Sequence, residues 1–404
     1  MSIQRDRRLL FVTAALRSVA TGLTGVFLGL HLGRLGLATG TIGAVVGAGL
    51  AGGAVAALLV TVAGDRAGRR RPLLAVTLVA SAGAGACALL SGPVALAVAA
   101  FAGMLNGMGR DRGAALVLEQ AILPGTVPDA ERTRSFAVYN LVQDLGHAGG
   151  ALLGGLPTVL EQSTGLGTVA SGRAMLLLIA ALLLGCTPFY LRLSPLVDAL
   201  PDRKLALSPA SRRILARISA LFALDALGGG FLPTALLSFF FFERFGASPA
   251  AIATLFFLAR VANAGSHLLA AWLARRIGLV NTMVFTHIPS SLLLATVAFA
   301  PTFPVAAILF LFREGLVEMD VPTRQSYVMA MVLPGERTVA SGVTNLVRMA
   351  AWAVAPPIAG FLMERSSLAA PLFVGAALKI GYDVALFAAF RRLKPPEESG
   401  EAYG

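Results

Sequence analysis

The chain has 404 residues, of which 56% are hydrophobic and only 13% are charged. Soluble globular domains carry about 25% charged residues, so this composition excludes that class and predicts an integral membrane protein with its charges concentrated in loops. The net charge of +12 does not indicate a nucleic-acid-binding protein, because the basic residues fall between apolar segments, where an anionic membrane surface attracts them.

Apolar runs long enough to cross a membrane follow one another along the whole chain. A spanning helix needs about 20 mostly apolar residues. The sequence therefore predicts twelve transmembrane spans, numbered here in chain order: 9–32, 40–63, 72–91, 94–122, 133–159, 171–191, 213–240, 248–274, 279–300, 303–332, 336–364 and 367–390. We predict an all-α fold of two pseudo-symmetric six-helix bundles.

The connection 192–212 is longer than the others and contains three prolines with charges of both signs. Because it falls at the midpoint of the chain, it predicts a linker between two halves. The predicted organisation is an N-terminal bundle over 1–191, a cytoplasmic linker over 192–212, a C-terminal bundle over 213–390 and a cytoplasmic tail over 391–404.

The loop charges predict the orientation of the chain. With an even number of spans, both tails lie on one side, and the tails, loops and adjoining span ends of that side hold 20 Lys or Arg residues. The opposite side holds four, which are Arg34, Arg173, Arg244 and Arg365. The positive-inside rule therefore predicts that both termini are cytoplasmic.

Motifs of other functional classes are missing from the sequence. It contains no Walker A motif, no HExxH motif, and no serine–histidine or paired-cysteine arrangement typical of catalysis. The two cysteines, Cys87 and Cys186, lie in apolar segments and predict neither a disulfide nor a metal site. We expect a protein that is not an enzyme and binds no metal or other cofactor.

The two halves of the chain resemble each other. Residues 131–155 and 336–360 share identical residues at an offset of 205, among them Asn140 with Asn345 and Gly155 with Gly360. The segment "ILPG" at 122–125 matches "VLPG" at 332–335. Parallel repeats of this kind place a substrate path at their interface, near the middle of the bilayer.

The loop between spans 2 and 3 reads "TVAGDRAGRR" over 61–70. This stretch resembles the motif G-x-L-A-D-R-x-G-R-[KR] of the major facilitator superfamily, and the resemblance extends over nearly the whole chain. The first glycine of the motif is replaced by Thr61. The resemblance implies a cytoplasmic gate built from Asp65, Arg66, Gly68, Arg69, Arg70 and Glu119.

Within that gate, we predict a latch of Asp65, Arg69 and Glu119, since an acid is favoured at a helix N-terminus. The alternative is a solvated loop that only sets the topology.

Span 5 carries "GHAGGALLGG", which resembles a glycine motif of the antiporter branch of this family. The matching positions are Gly146, Gly150, Gly154 and Gly155, and Ala151 stands where that motif has proline. The resemblance implies export in exchange for protons. Small residues at this spacing also let membrane helices approach closely, so ordinary helix packing stays open as the alternative.

Charged residues inside the spans indicate the functional pathway, because charges at membrane depth are costly and usually line a cavity or pair with one another. Arg17 in span 1 and Asp225 in span 7 align in the repeat, and we predict that they pair across the two halves. Glu314 and Glu318 share a helix face and are candidates for proton binding. The predicted substrate and proton pathway comprises Arg17, Arg110, Asp111, Arg112, Asn140, Asp144, Asp225, Arg260, Arg313, Glu314, Glu318, Asp320, Arg324, Asn345 and Arg348.

Two charged residues of span 12 are left out of this pathway. Lys379 and Asp383 are four residues apart, so we expect them to neutralise each other.

These observations predict a monomeric secondary transporter of the cytoplasmic (inner) membrane, driven by the proton gradient and working on a small molecule by alternating access. Proton-coupled export is the first hypothesis. Proton-coupled uptake of an organic anion or another small polar solute is the alternative, because arginines in the spans suit a carboxylate. A non-transporting sensor built on the same fold is a third.

Overall fold

A computed structural model describes residues 2–128, 131–198, 208–319 and 337–390. Within these ranges the regular structure is helical and no strand occurs. The α-helices are α1 Ser2–Arg34, α2 Thr39–Ala67, α3 Arg70–Leu89, α4 Pro93–Ala102, α5 Ala114–Ile122, α6 Arg132–Leu153, α7 Leu156–Thr164, α8 Thr168–Leu184, α9 Thr187–Leu191, α10 Pro209–Gly230, α11 Thr234–Phe245, α12 Pro249–Ile277, α13 Leu279–Val297, α14 Phe303–Val317, α15 Arg337–Arg365 and α16 Ala370–Phe390.

Helices occupy each of the twelve predicted spans, in whole or in part. Seven spans correspond to one helix each, namely α1, α2, α3, α12, α13, α15 and α16. In the described residues, eight helices are long and apolar enough to cross a membrane, by length and composition. The predicted all-α membrane fold is confirmed.

Four predicted spans are interrupted rather than continuous. Span 4 is broken between α4 and α5, span 5 between α6 and α7, span 6 between α8 and α9, and span 7 between α10 and α11. Glycines lie at the breaks in spans 5 and 6, and Pro233 precedes α11, where a residue without an N–H can begin a helix but not continue one. In span 10, α14 ends at Val317, and the residues from 320 to 332 lie outside the described part of the chain.

The chain forms two compact units. Unit 1 comprises Met1–Asp202, Pro233–Phe257 and Pro356–Leu368, and unit 2 comprises Arg203–Leu232, Leu258–Ala355 and Ala369–Gly404. Unit 1 thus takes in two segments from the second half of the sequence. Segment 233–257 brings α11 against α1, and segment 356–368 brings the end of α15 against the start of α2.

Small residues allow these close contacts inside unit 1. A Cβ added to Gly43 on α2 would lie 3.0 Å from the Cα of Gly360 on α15, so the two backbones touch. Beside this contact, the backbone N–H of Gly40 donates a hydrogen bond of 3.0 Å to Oε2 of Glu364. The carboxylate of Glu364 therefore satisfies a free donor in the first turn of α2.

Unit 2 is organised around an apolar core between α10, α13 and α16. Phe222, Met283, Tyr382 and Leu386 are buried there together. This packing holds the three helices side by side, and they also carry buried ionisable residues, namely Asp225, His287, Lys379 and Asp383.

Candidate functional site

The first cluster of buried charges lies in unit 1 and is centred on Arg17 of α1, which is 4% exposed. Its Nε donates to Oδ2 of Asp111 at 3.0 Å, and its Nη1 forms an ion pair with Glu119. Nη1 also donates to the hydroxyl of Tyr190 at 2.7 Å. The guanidinium therefore joins α1 to α9 and to both ends of the segment 111–119.

Glu119 of α5 is completely buried, and its carboxylate is surrounded by donors. The hydroxyls of Tyr139 and Tyr190 each donate to it at 2.6 Å. The hydroxyl of Thr13 and the guanidinium of Arg17 donate as well. A buried carboxylate with this many donors is stable in its charged form, because its hydration is replaced by hydrogen bonds. We call Thr13, Arg17, Asp111, Glu119, Tyr139 and Tyr190 the Arg17 cluster.

The break in span 4, residues 103–113, supplies one of these acids. Non-helical backbone at membrane depth needs partners for its polar groups, and the break has them within unit 1. The side chain of Asn106 accepts from the N–H of Met108 at 2.9 Å and donates to the carbonyl of Arg110 at 2.6 Å. His147 of α6 accepts from the N–H of Asp111 at 2.8 Å.

A segment of the second half of the sequence also holds this break. The N–H of Ala235 donates to the carbonyl of Gly107 at 3.0 Å, and the hydroxyl of Thr234 donates to the carbonyl of Met108 at 2.8 Å. The start of α11 is therefore bonded to the non-helical backbone of span 4.

The second cluster lies in unit 2 and is centred on Asp225 of α10, which is 3% exposed. The ammonium of Lys379 on α16 donates to its Oδ1 at 3.0 Å, and the guanidinium of Arg348 on α15 lies 3.5 Å from its Oδ2. Asp225 therefore has a cation on each carboxylate oxygen.

The same cluster extends to a buried histidine and a second acid. Nδ1 of His287 on α13 lies 3.0 Å from both carboxylate oxygens of Asp383 on α16, and its Nε2 lies 3.2 Å from Nζ of Lys379. Both His287 and Asp383 are at most 1% exposed. We call Asp225, His287, Arg348, Lys379 and Asp383 the Asp225 cluster.

Only some of the residues predicted from the sequence belong to these two clusters, and with different partners from those predicted. Arg17, which we predicted to pair with Asp225, has its ion pairs with acids of its own unit. Glu119, predicted in the cytoplasmic latch with Arg69, accepts instead from the Arg17 cluster. Both corrections have one cause: an uncompensated charge in a low dielectric is so costly that each pairs with the nearest groups of opposite charge.

The remaining predicted pathway residues are spread over several helices. Arg313 pairs with its neighbour Glu314, and Glu314 accepts from Asn263 Nδ2 at 2.9 Å. Glu318 follows the last residue of α14, so the predicted helix face shared with Glu314 ends there. Asn140 is exposed, and five residues are half-buried, namely Arg110, Arg112, Asp144, Arg260 and Asn345. Asp320 and Arg324 lie outside the described residues.

At the predicted gate, an acid of the linker 192–212 lies at the N-terminus of α3. Gly68 has φ +73° and separates α2 from α3, and Oδ1 of Asp198 accepts from the N–H of Arg69 at 2.6 Å and of Arg70 at 3.0 Å. Arg69 Nη1 donates to the carbonyl of Ala121 at 3.0 Å. The linker thus caps α3 through Asp198. The side chains of Asp65 and Arg66 lie outside the part that the structure describes.

Three of the four motif glycines of span 5 face α1. A Cβ on Gly146 would lie 2.7 Å from the Cβ of Ser18, and one on Gly154 would lie 2.6 Å from a methyl of Val26. Gly150 is against the backbone of Val19, and Gly155 is against Ala250 of α12. These contacts match the packing interpretation of the motif.

Several members of both clusters were not predicted from the sequence. Lys379 and Asp383 were expected to neutralise each other, but Lys379 bonds to Asp225 and His287, and Asp383 bonds to His287. Each of the two residues is thus compensated by residues of other helices as well. Ionisable residues in apolar spans 9 and 12 were a signal in their own right, because each is costly in a membrane. Tyr139 and Tyr190 carried no comparable signal.

Ionisable side chains buried inside the spans of a helical membrane protein are typical of proteins that move solutes or ions across the membrane. A family model described as Major Facilitator Superfamily matches residues 10–356 and 218–403. The chain belongs to the major facilitator superfamily. Family and fold are those of membrane transporters, and they indicate no catalytic family.

Individual relatives agree with this assignment. The chain is 26% identical to the uncharacterized membrane protein YJR124C of Saccharomyces cerevisiae, covering 96% of this chain and 94% of the yeast protein. It is similar in fold to the nucleoside transporter NupG (TM-score 0.76, 16% identity, 95% and 100% of the two chains). It also resembles the human organic anion transporter MFSD10 (TM-score 0.61, 18% identity, 96% and 100%).

Proposed function

We propose that this protein is a proton-coupled secondary transporter that moves a small molecule across the cytoplasmic membrane by alternating access. The observation that carries the proposal is Asp225, buried between the cations of Lys379 and Arg348. A carboxylate in a low-dielectric interior is neutralised either by a cation or by a proton. Protonation of Asp225 would release both cations, so one proton can change the bonds that tie α10 to α15 and α16.

For direction, we propose export of the substrate in exchange for protons. The support is the glycine motif of span 5, which resembles the antiporter branch. The energy source in this proposal is the proton gradient alone, with no bound cofactor. We place both termini in the cytoplasm, on the strength of the loop charges.

Proton-coupled uptake of an organic anion is the second candidate. Arg110 and Arg112 flank Asp111 in the non-helical break of span 4, where a guanidinium could bind a carboxylate. The fold similarity to a protein named as an organic anion transporter supports the same chemistry.

The test is proton flux in everted membrane vesicles energised to an acidic lumen. Organic anions and lipophilic cations are added in turn to vesicles with wild-type protein, Asp225→Asn or the control Glu243→Gln, which changes an exposed acid at the end of α11. We expect one compound class to dissipate the proton gradient in vesicles with wild-type protein and with the control. The rate of dissipation should be about tenfold lower with Asp225→Asn.

Other outcomes contradict parts of the proposal. If no compound collapses the gradient but intact cells accumulate one of them, the protein is a symporter and export is wrong. If neither vesicles nor cells move any compound, the transporter hypothesis is wrong, and the hypothesis of a non-transporting sensor with the same fold takes its place. If Asp225→Asn transports like wild type, Asp225 does not carry the proton.

A further inference from the structure

Four titratable side chains of unit 2 form a continuous hydrogen-bonded chain. Oδ1 of Asp225 is 3.0 Å from Nζ of Lys379, which is 3.2 Å from Nε2 of His287. Nδ1 of the same histidine is 3.0 Å from Asp383. The chain begins on α10 and ends at Asp383 on α16, and each of its members is at most 6% exposed.

The donors and acceptors of this chain determine which nitrogen of His287 carries the proton. A carboxylate only accepts and an ammonium only donates. Nδ1 must therefore donate its N–H to Asp383, and Nε2 must accept from Lys379. His287 is neutral in this arrangement, and the lone pair of Nε2 accepts from a donor that holds a transferable proton.

We propose that Lys379 passes a proton to His287 when Asp225 takes one up. In this step an Nζ–H bond of Lys379 breaks, and its electron pair stays on Nζ. The lone pair of Nε2 of His287 forms the new N–H bond. The positive charge moves from the ammonium beside Asp225 to an imidazolium beside Asp383. The inference rests on the proposed function, because it takes Asp225 as the group that binds the transported proton.

The electrostatics of the cluster favour such a transfer. Once Asp225 is neutral, the ammonium of Lys379 is a buried cation that has lost its anion, which is costly. An imidazolium at His287 would instead lie against the carboxylate of Asp383, which has no exposed surface. Arg348 cannot move its charge in this way, since a guanidinium does not release its proton in proteins.

Charged groups from two neighbouring helices face His287. It faces Lys379 and Asp383 of α16, and Asp225 Oδ1 lies 3.9 Å from its Nε2. The ring of Tyr382 meets it edge-on at 6.0 Å. On the other side of Asp225, Arg348 lies above the ring of Trp352 at 5.1 Å.

Trp352 gives a direct readout that needs no substrate. Its ring contacts the guanidinium that pairs with Asp225, so its fluorescence should respond when Asp225 is neutralised. The chain has two tryptophans, and Trp272→Phe leaves Trp352 as the single reporter. The purified full-length protein is titrated in lipid nanodiscs, and the pH midpoint of the emission change is recorded.

We expect the Trp272→Phe parent to show one titration that Asp225→Asn abolishes. In the same background, His287→Gln and His287→Asn should each lower the midpoint by about one pH unit or more, because Lys379 then keeps its charge beside Asp225 and opposes protonation. The glutamine can still accept from Lys379 and the asparagine can still donate to Asp383, but neither binds a proton. Asp383→Asn should act in the same direction, since it removes the anion that stabilises the imidazolium.

The two histidine variants separate proton transfer from a merely structural hydrogen bond. If folded His287→Gln and His287→Asn proteins titrate like the parent while Asp225→Asn is silent, the transfer is overturned and Asp225 remains the proton site. If the histidine variants do not fold, Asp383→Asn takes their place, and a midpoint equal to that of the parent overturns the transfer. If the parent shows no titration, the assignment of Asp225 in the proposed function fails as well.

Discussion

The Arg17 cluster and the Asp225 cluster solve the same problem with different side chains. Each buries a charge in a membrane helix and surrounds it with opposite charge or hydrogen-bond donors. In the Arg17 cluster the partners are a guanidinium, two phenols and a threonine hydroxyl around Glu119. In the Asp225 cluster they include an ammonium and an imidazole.

The difference lies in which partners can exchange protons. Arginine stays charged, and tyrosine and threonine stay neutral, at any physiological pH. Lysine readily loses its proton when it is buried, and histidine titrates near neutrality. The side chains that donate to Glu119 in the Arg17 cluster therefore keep one charge state, whereas the Asp225 cluster contains a lysine and a histidine that can exchange a proton, as our proposal requires.

The internal repeat sharpens this comparison. Arg17 and Asp225 occupy equivalent positions at an offset of 208 residues but carry opposite charges. Each has recruited complementary partners in its own unit. A second pair of repeat positions behaves differently, because Gly68 and Gly278 have the same left-handed backbone, with φ of +73° and +85°. Backbone geometry has been kept in the two halves, while the chemistry of the buried charge has diverged.

The largest expected effect is that of Arg17→Met on folding. It leaves Glu119 buried without its cation, and breaking a buried ion pair costs about 3–5 kcal/mol in the free energy of unfolding. The measurement is thermal unfolding in nanodiscs. The control is Arg34→Met, whose partner Glu161 is 20% exposed, and we expect a loss of at most about 1 kcal/mol there. Equal losses from the two variants would mean that the Arg17 cluster adds no special stability.

Exchanging the two cations tests the distinction between a fixed and a variable charge. Arg17→Lys restores a cation to a cluster that does not need to titrate, so the pH midpoint of Trp352 emission should stay at the parent value. Lys379→Arg keeps a cation that cannot release its proton, so the midpoint should fall by about one unit and proton flux by about tenfold. The distinction between the two clusters is wrong if Lys379→Arg titrates and transports like the parent.

The smallest effect is expected for Tyr190→Phe. It removes one of several hydrogen bonds to Glu119, which costs about 1.5–3 kcal/mol for a bond to a charged group. Thermal unfolding measures this loss, and Tyr139→Phe serves as the matched variant on α6. Neither change should alter the pH midpoint of Trp352 emission. A shift of that midpoint would show that the Arg17 cluster takes part in proton binding.

Hydropathy and spacing predicted the class of fold and where its helices lie, because a run of apolar residues has only one stable conformation in lipid. The interruptions of the spans were harder to predict from the sequence. "GMLNGMGRDRG" in span 4 was taken as helix because its neighbours are apolar. It is non-helical because Asn106, His147 and the start of α11 satisfy its backbone, and those partners are distant in sequence.

The sequence by itself thus determined the membrane class, the twelve spans, the repeat and the identity of the costly charges. Only the tertiary structure decided which charges meet. Spacing along one helix relates residues three or four apart, but contacts between helices depend on the depth and rotation of each, which packing sets. Lys379 therefore bonds to Asp225 and His287 rather than to Asp383, its neighbour by spacing, and Glu119 joins Arg17 rather than Arg69.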